Sequence, residues 1–226
     1  MENLRKYHND LKRSFIIKNV KQGSKVLDVG SGRGGDLQKW RAVGAHLTMC
    51  EPDEESLIEA RNRALTVFPE CRFFKGDILR VPAEQYDYVC YNFSLQYIFT
   101  EESYARMCIQ TVSNMLRTGG KFIGVVPDAQ KIIEKPQDWK DDLGNTIRRG
   151  WSIGKNEPKY GEMIIVNFGD GPYYSQGAIP EPLCYKTLLV QLCMEARMVL
   201  TKWEPFAKEK NGRITDVYSQ FIFERL

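Results

Sequence analysis

A glycine cluster directly after a short apolar strand is the feature that most limits how this chain can fold. Residues 25–29 (KVLDV) have the composition of a buried strand, and Gly30, Gly32 and Gly35 follow with the spacing Gly-x-Gly-x-x-Gly. Residues 36–40 then open a helix. Glycines at this spacing let the backbone turn sharply between a strand and a helix and approach a bound ligand closely. The pattern predicts the first strand–loop–helix unit of an α/β domain with a ligand at the loop.

The alternation of strands and helices continues along the chain. An amphipathic helix is predicted over residues 2–18, ahead of the first strand. Further strands are predicted at 46–50, 72–74, 86–91 and 121–126, and further helices at 54–67 and 102–116. Strands that alternate with helices form a parallel sheet covered on both faces, because each crossover returns over the sheet with the same hand. The sequence therefore predicts a Rossmann-like, doubly wound α/β fold.

The last third of the chain has a different pattern. Strands are predicted at 163–168, 198–203 and 217–223, and a helix at 183–195. We expect the last two strands to pair antiparallel at the edge of the sheet. Residues 128–160 contain prolines, glycines and many charges without clear periodicity, so we interpret them as an inserted surface region.

Length and composition narrow the class of protein. With 226 residues, the chain is predicted to be a single domain, residues 1–226. Its six cysteines form no Cys-x-x-Cys pair and it has two histidines, which predicts no metal site. Cysteines within apolar runs suit a reducing compartment, and no stretch has the length of a membrane span or the pattern of a signal peptide. We expect a soluble, intracellular protein, whereas the net charge of +3 decides little about nucleic-acid binding.

Four carboxylates at or near the predicted carboxyl ends of successive strands indicate the kind of ligand. The glycine loop with Glu51 on the next strand suits both nicotinamide cofactors and S-adenosylmethionine, since both offer ribose hydroxyls to a carboxylate. Asp28 and Asp36, however, flank the glycines, where they would repel a diphosphate and attract a sulfonium or ammonium group. Asp77 follows the third strand, where it could accept from an adenine amino group. Singly, Asp36 is also explained as a first-turn acid, Asp77 as a turn residue and Glu51 as a solvated loop residue. Jointly, they predict S-adenosylmethionine as the cofactor.

Three segments carry a resemblance to a known family. They are residues 4–12 (LRKYHNDLK), 27–40 (LDVGSGRGGDLQKW) and 93–97 (FSLQY), with weaker matches at 180–182 and 217–223. Together they resemble the mRNA cap guanine-N7 methyltransferases, and within that family the capping enzymes of large DNA viruses look most similar. The resemblance implies the Rossmann-like methyltransferase fold, a mostly parallel sheet with an antiparallel C-terminal strand. It leaves open whether Met1 is a native start or the chain is excised from a longer capping enzyme that also has triphosphatase and guanylyltransferase domains.

Carried over by matching position, the resemblance implies roles for particular residues. Those implied to hold the cofactor are Lys12, Gly30, Asp36, Glu51, Asp77 and Ser94, to which the sequence argument above adds Asp28 and Gly32. Those implied to hold the capped RNA are Phe93, Gln96, Tyr97, Tyr174, Glu181 and Tyr218 at the guanine, with Arg33, Lys39 and Arg63 near the phosphates. Gln96 departs from the family, which usually has histidine there; glutamine can donate and accept hydrogen bonds but carries no charge.

Each of these acceptor residues also has a plainer explanation. Glu181 lies between two prolines, which is typical of an exposed turn, and the aromatic residues sit in or beside strands where they could simply pack. In favour of the functional interpretation, aromatic faces hold a purine and a carboxylate accepts from the nitrogen 1 and exocyclic amino edge of guanine.

The implied reaction is an in-line transfer of the methyl group to guanine nitrogen 7 of the 5′ cap. That nitrogen has a lone pair and no proton, so no acid or base catalyst is expected, and Tyr97, Glu181 and Tyr218 would position the guanine. The alternatives left open are a methyltransferase of a small molecule, a non-catalytic capping subunit and an NAD-dependent oxidoreductase. The expected partner is 5′-capped RNA, with no membrane; the compartment is cytoplasmic for a viral protein, and the nucleus stays open.

Overall fold

The computed structural model describes residues 4–150, 159–169 and 180–226. Its helices follow the predicted order closely. They are α1 (Leu4–Asn19), α2 (Leu37–Ala42), α3 (Glu54–Val67), α4 (Glu102–Met115), α5 (Ala129–Ile133) and α6 (Lys186–Glu195), with short 3-10 helices at Ile78–Arg80, Leu95–Thr100 and Ile214–Val217. The start of α3 is explained by the residues around it. The Asp53 side chain accepts from the Ser56 N–H at 2.8 Å, and two glutamates follow in the first turn of the helix.

The described strands form two separate sheets. Those of the main sheet are β1 (Lys25–Val29), β2 (His46–Glu51), β3 (Arg72–Lys75), β4 (Tyr86–Asn92), β5 (Leu116–Pro127), β10 (Met198–Pro205) and β11 (Tyr218–Arg225). Those of the second sheet are β6 (Asp138–Lys140), β7 (Thr146–Arg149), β8 (Met163–Asn167) and β9 (Pro180–Pro182).

The main sheet has the strand order β3-β2-β1-β4-β5-β11-β10. Strand β1 is central and pairs parallel with both β2 and β4, so that Val26 faces Leu47 on one side and Tyr88 on the other. Strand β11 runs antiparallel to β5 and to β10. The predicted fold class, a mostly parallel sheet with an antiparallel C-terminal pair, is confirmed.

Both faces of the main sheet are covered, as the alternation predicts. Val26 on one face packs in a cluster that includes Phe15, Ile16 and Trp40, whereas Leu27 on the other face packs in the cluster on the side of α4 and α6. In a sheet covered on both faces, ligands bind at the carboxyl ends of the strands.

The second sheet differs from the sequence prediction. The part of 128–160 that the structure describes contains α5, β6 and β7, and β7 pairs antiparallel with β8. Strand β8 in turn pairs with β9, with Ile164 opposite Glu181. Strand β8 was predicted, at 163–168. Periodicity did not predict β6, β7 and β9, because they are three or four residues long, too short for a clear alternation.

One strand boundary also differs. A strand was predicted at 121–126, but β5 begins at Leu116, directly after α4, and includes Gly119 and Gly120. No helix among the described residues is both long and apolar enough to cross a membrane.

Candidate functional site

A cavity opens at the carboxyl ends of β1 and β4. It is bounded by α1, the glycine loop, the 3-10 helix after β4, β9 and the start of β11. Its lining residues are Arg5, His8, Asn9, Lys12, Asp28, Gly30, Ser31, Gly32, Gly35, Asp36, Asn92, Phe93, Gln96, Tyr97, Phe168, Glu181 and Tyr218. Residues far apart in the sequence, predicted separately for cofactor and for acceptor, thus share one cavity.

The glycine loop needs glycine at Gly30 for two reasons. Its φ is +69°, and a Cβ there would lie 2.4 Å from the Cβ of Ser94. Ser94 is held in place because its hydroxyl donates to the Val29 carbonyl at 2.6 Å. Two residues on, Gly32 has a φ of +53° and its N–H donates to the Glu51 carboxylate at 2.8 Å. The loop is therefore fixed to the ends of β1, β2 and β4.

We expect Gly30→Ala to lower the free energy of unfolding by about 2–5 kcal/mol. Alanine would have to adopt a left-handed backbone conformation, and its Cβ would also overlap the Ser94 side chain. Chemical denaturation measures this change. Gly35→Ala is the matched control, since a Cβ at Gly35 meets nothing within 4 Å. Equal loss of stability in both variants would contradict the steric argument.

Asp36 is the centre of a buried charge cluster. Lys12 of α1 and Lys39 of α2 each place an ammonium 2.7 Å from its Oδ1, and the Asn92 amide donates to its Oδ2 at 3.0 Å. Burial alone would raise the pKa of Asp36, but the two ammonium groups outweigh burial and hold this pKa well below its usual range. Asp36 is therefore ionised, and it ties α1 to the glycine loop.

Lys39 does not face the surface as a phosphate-binding residue would. Its side chain is 4% exposed, and besides Asp36 its ammonium donates to the Asn9 side chain at 3.0 Å and the Gly35 carbonyl at 2.7 Å. The spacing from Asp36 to Lys39, three residues on one helical face, explains the pairing. This placement differs from the expected contact with the cap phosphates.

Asp28 is buried beside Asp36 but has a different environment. The Trp40 indole N–H donates to its Oδ2 at 2.8 Å. Burial, and secondarily the charge of Asp36, raises the pKa of Asp28 to about 7. This carboxyl therefore holds its proton through the acidic range.

The raised pKa of Asp28 predicts how stability depends on pH. Below about pH 4 the carboxyl is protonated in both the folded and the unfolded chain, and between there and about pH 7 only the unfolded chain releases the proton. The free energy of unfolding should therefore fall as pH rises through this window, and Asp28→Asn should remove that part of the fall. Thermal unfolding between pH 4 and 8 measures it, with exposed Asp138→Asn as the control; parallel curves for the wild type and Asp28→Asn would contradict it.

Glu51 and Asp77 are not among the described residues that line the cavity. Glu51 accepts from the backbone N–H groups of Gly32 and Asp53, at 2.8 and 2.9 Å, and burial raises its pKa. Asp77 accepts from the Leu79 N–H at 3.0 Å and from the Tyr104 hydroxyl at 2.6 Å. The hydrogen bonds from Leu79 and Tyr104 fit the interpretation of Asp77 as a turn residue. Its contact with adenine stays a prediction.

Aromatic rings line the other end of the cavity. Phe93 has a φ of +60°, unusual for a residue with a side chain, and its ring packs edge-on against Tyr218 at 4.9 Å between centroids. The His8 imidazole stacks on Phe93 at 5.6 Å, and the Lys12 ammonium lies 5.8 Å from the centre of the Phe93 ring. A backbone strained to present an aromatic ring at a cavity is typical of ligand sites.

Gln96 and Glu181 meet in this aromatic end. The Gln96 amide nitrogen donates to the Glu181 carboxylate at 2.9 Å and to the Phe93 carbonyl at 3.0 Å. Burial raises the pKa of Glu181 to about 7, although hydrogen bonds from Gln96 and Tyr97 oppose the rise. The alternative that Glu181 is an exposed turn residue is wrong, because β9 pairs with β8 and carries Glu181 over the cavity.

Two further predicted cap residues, Arg33 and Arg63, lie away from the cavity. Arg33 and Arg63 both form ion pairs with Glu59 of α3 on the protein surface, and neither lines the cavity. Tyr174 falls outside the described residues.

Sequence reasoning missed several lining residues. His8 is buried and contacts the Thr215 hydroxyl at 2.8 Å, and burial, with the charge of Lys12, lowers its pKa to about 4. Its spacing four residues before Lys12 on the predicted helix places both on one face and could have identified it. Asn92 and Ser31 carried no such signal.

The cavity fits a ligand rich in polar groups. Four buried side-chain atoms of lining residues have no hydrogen-bond partner within the described part of the chain: Ser31 Oγ, Asp36 Oδ1, Asn92 Oδ1 and Gln96 Oε1. Of these, Asp36 Oδ1 has its two ion-pair partners, and the other three have none. Buried polar atoms without a partner are costly unless a ligand or water satisfies them. Within the described residues, no cluster of histidine, cysteine, aspartate and glutamate could hold a metal ion.

Comparison with known proteins adds independent information. The solved S-adenosylmethionine-dependent methyltransferase from Clostridium acetobutylicum superposes with a TM-score of 0.65 at 15% identity, covering 97% of this chain and 91% of its own. The mRNA cap guanine-N(7) methyltransferase of Caenorhabditis briggsae is 33% identical over 81% of this chain and 53% of its own length. That of Saccharomyces cerevisiae is 28% identical over 91% of this chain and 52% of its own length. The chain thus spans about half the length of these curated relatives.

A family profile also matches the chain. The profile described as the mRNA (guanine-N(7))-methyltransferase domain matches residues 1–226, the whole sequence. Together with the cavity that joins the glycine loop to an aromatic, carboxylate-bearing end, this match confirms the resemblance stated from the sequence. The chain belongs to the mRNA (guanine-N(7))-methyltransferase domain family.

Proposed function

We propose that this chain transfers the methyl group of S-adenosylmethionine to guanine nitrogen 7 of the 5′ cap of mRNA. One observation carries the proposal: a single cavity combines buried carboxylates beside a glycine loop with an aromatic end that bears Glu181, in a chain of this family. At the first end, carboxyl and ammonium groups lie together, which suits the methionine portion of S-adenosylmethionine because that portion carries both charges. The second end suits a guanine.

At the donor end, S-adenosylmethionine supplies an electrophilic methyl group on a positively charged sulfur. Gly30 and Gly32 would let the backbone approach this cofactor closely, and Asp28 and Asp36 would face its cationic portion. Lys12, beside Asp36, would take the methionine carboxylate. Glu51 at the end of β2 would accept from the ribose hydroxyls, with Asp77 and Ser94 completing the pocket.

At the acceptor end, Glu181 would accept hydrogen bonds from the nitrogen 1 and amino edge of guanine, a pattern that adenine lacks. Phe93, Tyr97 and Tyr218 would hold the ring by its faces and edges. The Gln96 amide oxygen, buried without a partner among the described residues, is available to accept a further hydrogen bond from the purine. Arg33 and Arg63 are at the surface, where they could reach RNA phosphates only by leaving Glu59.

The chemistry requires positioning and charge, with no proton transfer. Guanine nitrogen 7 has its lone pair available and no proton to lose, so the reaction needs no base. His8, which is neutral and hydrogen-bonded to Thr215, is therefore not needed in that role. Holding two reactants in line supplies roughly 7–11 kcal/mol of the barrier reduction. Positive charge grows on the guanine during transfer, and ionised Glu181 would stabilise it electrostatically.

The test is incubation of the chain with radiolabelled S-adenosylmethionine and RNA carrying an unmethylated cap, followed by nuclease digestion. Label in 7-methylguanosine is the expected result. Label in small molecules alone would favour the small-molecule alternative. Cofactor binding without any transfer would favour a non-catalytic capping subunit.

We further infer that the natural substrate is capped RNA. A viral source, companion triphosphatase and guanylyltransferase domains, and a cytoplasmic or nuclear location stay predictions from the resemblance; the relatives named above come from a nematode and a yeast.

A further inference from the structure

Tyr218 owes its place in the cavity to a second stretch of the chain. It is the first residue of β11, and the residues directly before it form a 3-10 helix, so they do not belong to the strand. Asp128, directly after β5, contacts the residues on both sides of Tyr218. The Asp128 N–H donates to the Val217 carbonyl at 2.9 Å, and the Ser219 hydroxyl donates to the Asp128 carboxylate at 2.7 Å.

Lys131, in α5, contacts Tyr218 itself. Its ammonium donates to the Tyr218 carbonyl at 2.8 Å, and the Phe206 N–H donates to the same oxygen at 3.1 Å. Burial lowers the pKa of Lys131, although nearby Asp128 opposes the shift. Among the described residues Lys131 forms no ion pair within 4.0 Å, so its charge is directed to a backbone oxygen, where a charge-assisted hydrogen bond is strong.

Asp128 anchors the stretch that carries Lys131. It is buried, caps α5 by accepting from the Gln130 N–H at 3.2 Å, and accepts from the Trp203 indole N–H at 3.0 Å. Its carboxylate therefore joins α5 to both β10 and β11. Because α5 is anchored in this way, the Lys131 ammonium is held at a fixed position relative to Tyr218.

We propose that Lys131 is a positioning residue that holds Tyr218 at the purine end of the cavity through the Tyr218 carbonyl, and that Asp128 fixes Lys131. The Tyr218 ring packs edge-on against Phe93 and His8, at 4.9 and 5.6 Å, so a shift of its backbone moves the ring out of this arrangement. The inference rests on the proposed function for its kinetic consequence, but the placement of the ring does not.

Lys131→Met keeps the length of the side chain and removes the donor. We expect it to raise the KM for capped RNA about tenfold, the effect of losing one hydrogen bond to a charged group, with kcat and the dissociation constant for S-adenosylmethionine changed less than about twofold. Lys131→Arg, which keeps a donor, should restore most of the affinity. Lys135→Met is the matched control, because Lys135 belongs to the same stretch but lies over the Trp139 ring.

A double-mutant cycle separates positioning from general destabilisation. In a Tyr218→Ala background, Lys131→Met should have no further effect on KM, since the residue through which it acts is gone. If the effects of Lys131→Met and Tyr218→Ala on KM multiplied, the proposal would be overturned. The same holds if Lys131→Met weakened cofactor binding by as large a factor as it raised KM. Ser219→Ala, which removes one contact to Asp128 without touching Lys131, should raise KM by a smaller factor.

A readout that needs no activity keeps this inference distinct from the proposed function. In protein labelled with 3-fluorotyrosine, the fluorine resonance of Tyr218 is assigned by its loss in Tyr218→Phe. Lys131→Met should shift or broaden that resonance in the ligand-free protein, and Lys135→Met should not. An unchanged resonance in Lys131→Met would refute the positioning even if the wild type methylates capped RNA; a shifted resonance in a protein that methylates no cap would refute only the proposed function.

Discussion

Glu181→Gln should reduce kcat/KM for capped RNA by about 10²–10³-fold, the loss typical of removing one preorganised electrostatic contact to the reacting group. Glutamine keeps the size of the side chain but removes the charge that faces guanine. The Gln96 amide nitrogen, now 2.9 Å from the carboxylate, would then face a neutral amide. Steady-state methylation of capped RNA and calorimetric titration with S-adenosylmethionine measure the two ends of the cavity separately, and the affinity for the cofactor should change by less than about twofold.

Glu162→Gln provides the matched control. Glu162 lies just before β8, accepts from the Tyr185 hydroxyl and does not line the cavity. It should leave methylation near the wild-type rate. If Glu181→Gln weakened cofactor binding as much as it slowed methylation, the assignment of Glu181 to the guanine would fail.

The pH dependence of the same reaction follows from the raised pKa of Glu181. With a pKa of about 7 in the free enzyme, the carboxylate needed at the guanine forms only as pH rises through neutrality. The kcat/KM of the wild type should therefore increase from pH 6 to pH 8, and that of Glu181→Gln should lack this rise.

Asp36→Asn should reduce both the stability of the protein and its affinity for S-adenosylmethionine. The change leaves the ammonium groups of Lys12 and Lys39 beside a neutral amide, and breaking one side of a buried ion pair typically costs about 3–5 kcal/mol. We expect a corresponding loss in the free energy of unfolding, measured by chemical denaturation, and a loss of S-adenosylmethionine binding measured by calorimetry.

A double variant separates the two effects. Lys12→Met combined with Asp36→Asn removes one of the uncompensated ammonium groups, so it should recover part of the lost stability but none of the cofactor affinity. An Asp36→Asn protein as stable as the wild type would show that the cluster contributes little to folding.

Much of the donor end could be predicted from the sequence because its determinants are local. Gly30, Asp28 and Asp36 lie within nine residues around one strand end, and the rule that ligands bind at the carboxyl edge of such sheets places them together. Lys39 shows the limit of position matching: its pairing with Asp36 was implicit in helical spacing, yet the resemblance directed it to a phosphate.

The acceptor end depends on contacts that no local pattern encodes. Glu181 reaches the cavity because a three-residue strand pairs with β8, and His8 does so because α1 packs against Thr215, 207 residues further along the chain. Prolines on both sides of Glu181 suggested a turn, since proline is rare inside sheets; an edge strand tolerates it. Such long-range pairings are determined by tertiary packing and are visible only in the structure.

The hydrogen bond between Gln96 and Glu181 joins the two sheets, because Gln96 follows β4 of the main sheet and Glu181 belongs to β9 of the second. The residues assigned to the donor all lie within the first hundred residues, whereas the purine end also needs Glu181 from the second sheet. A displacement of the second sheet would therefore open the purine end and leave the donor contacts in place.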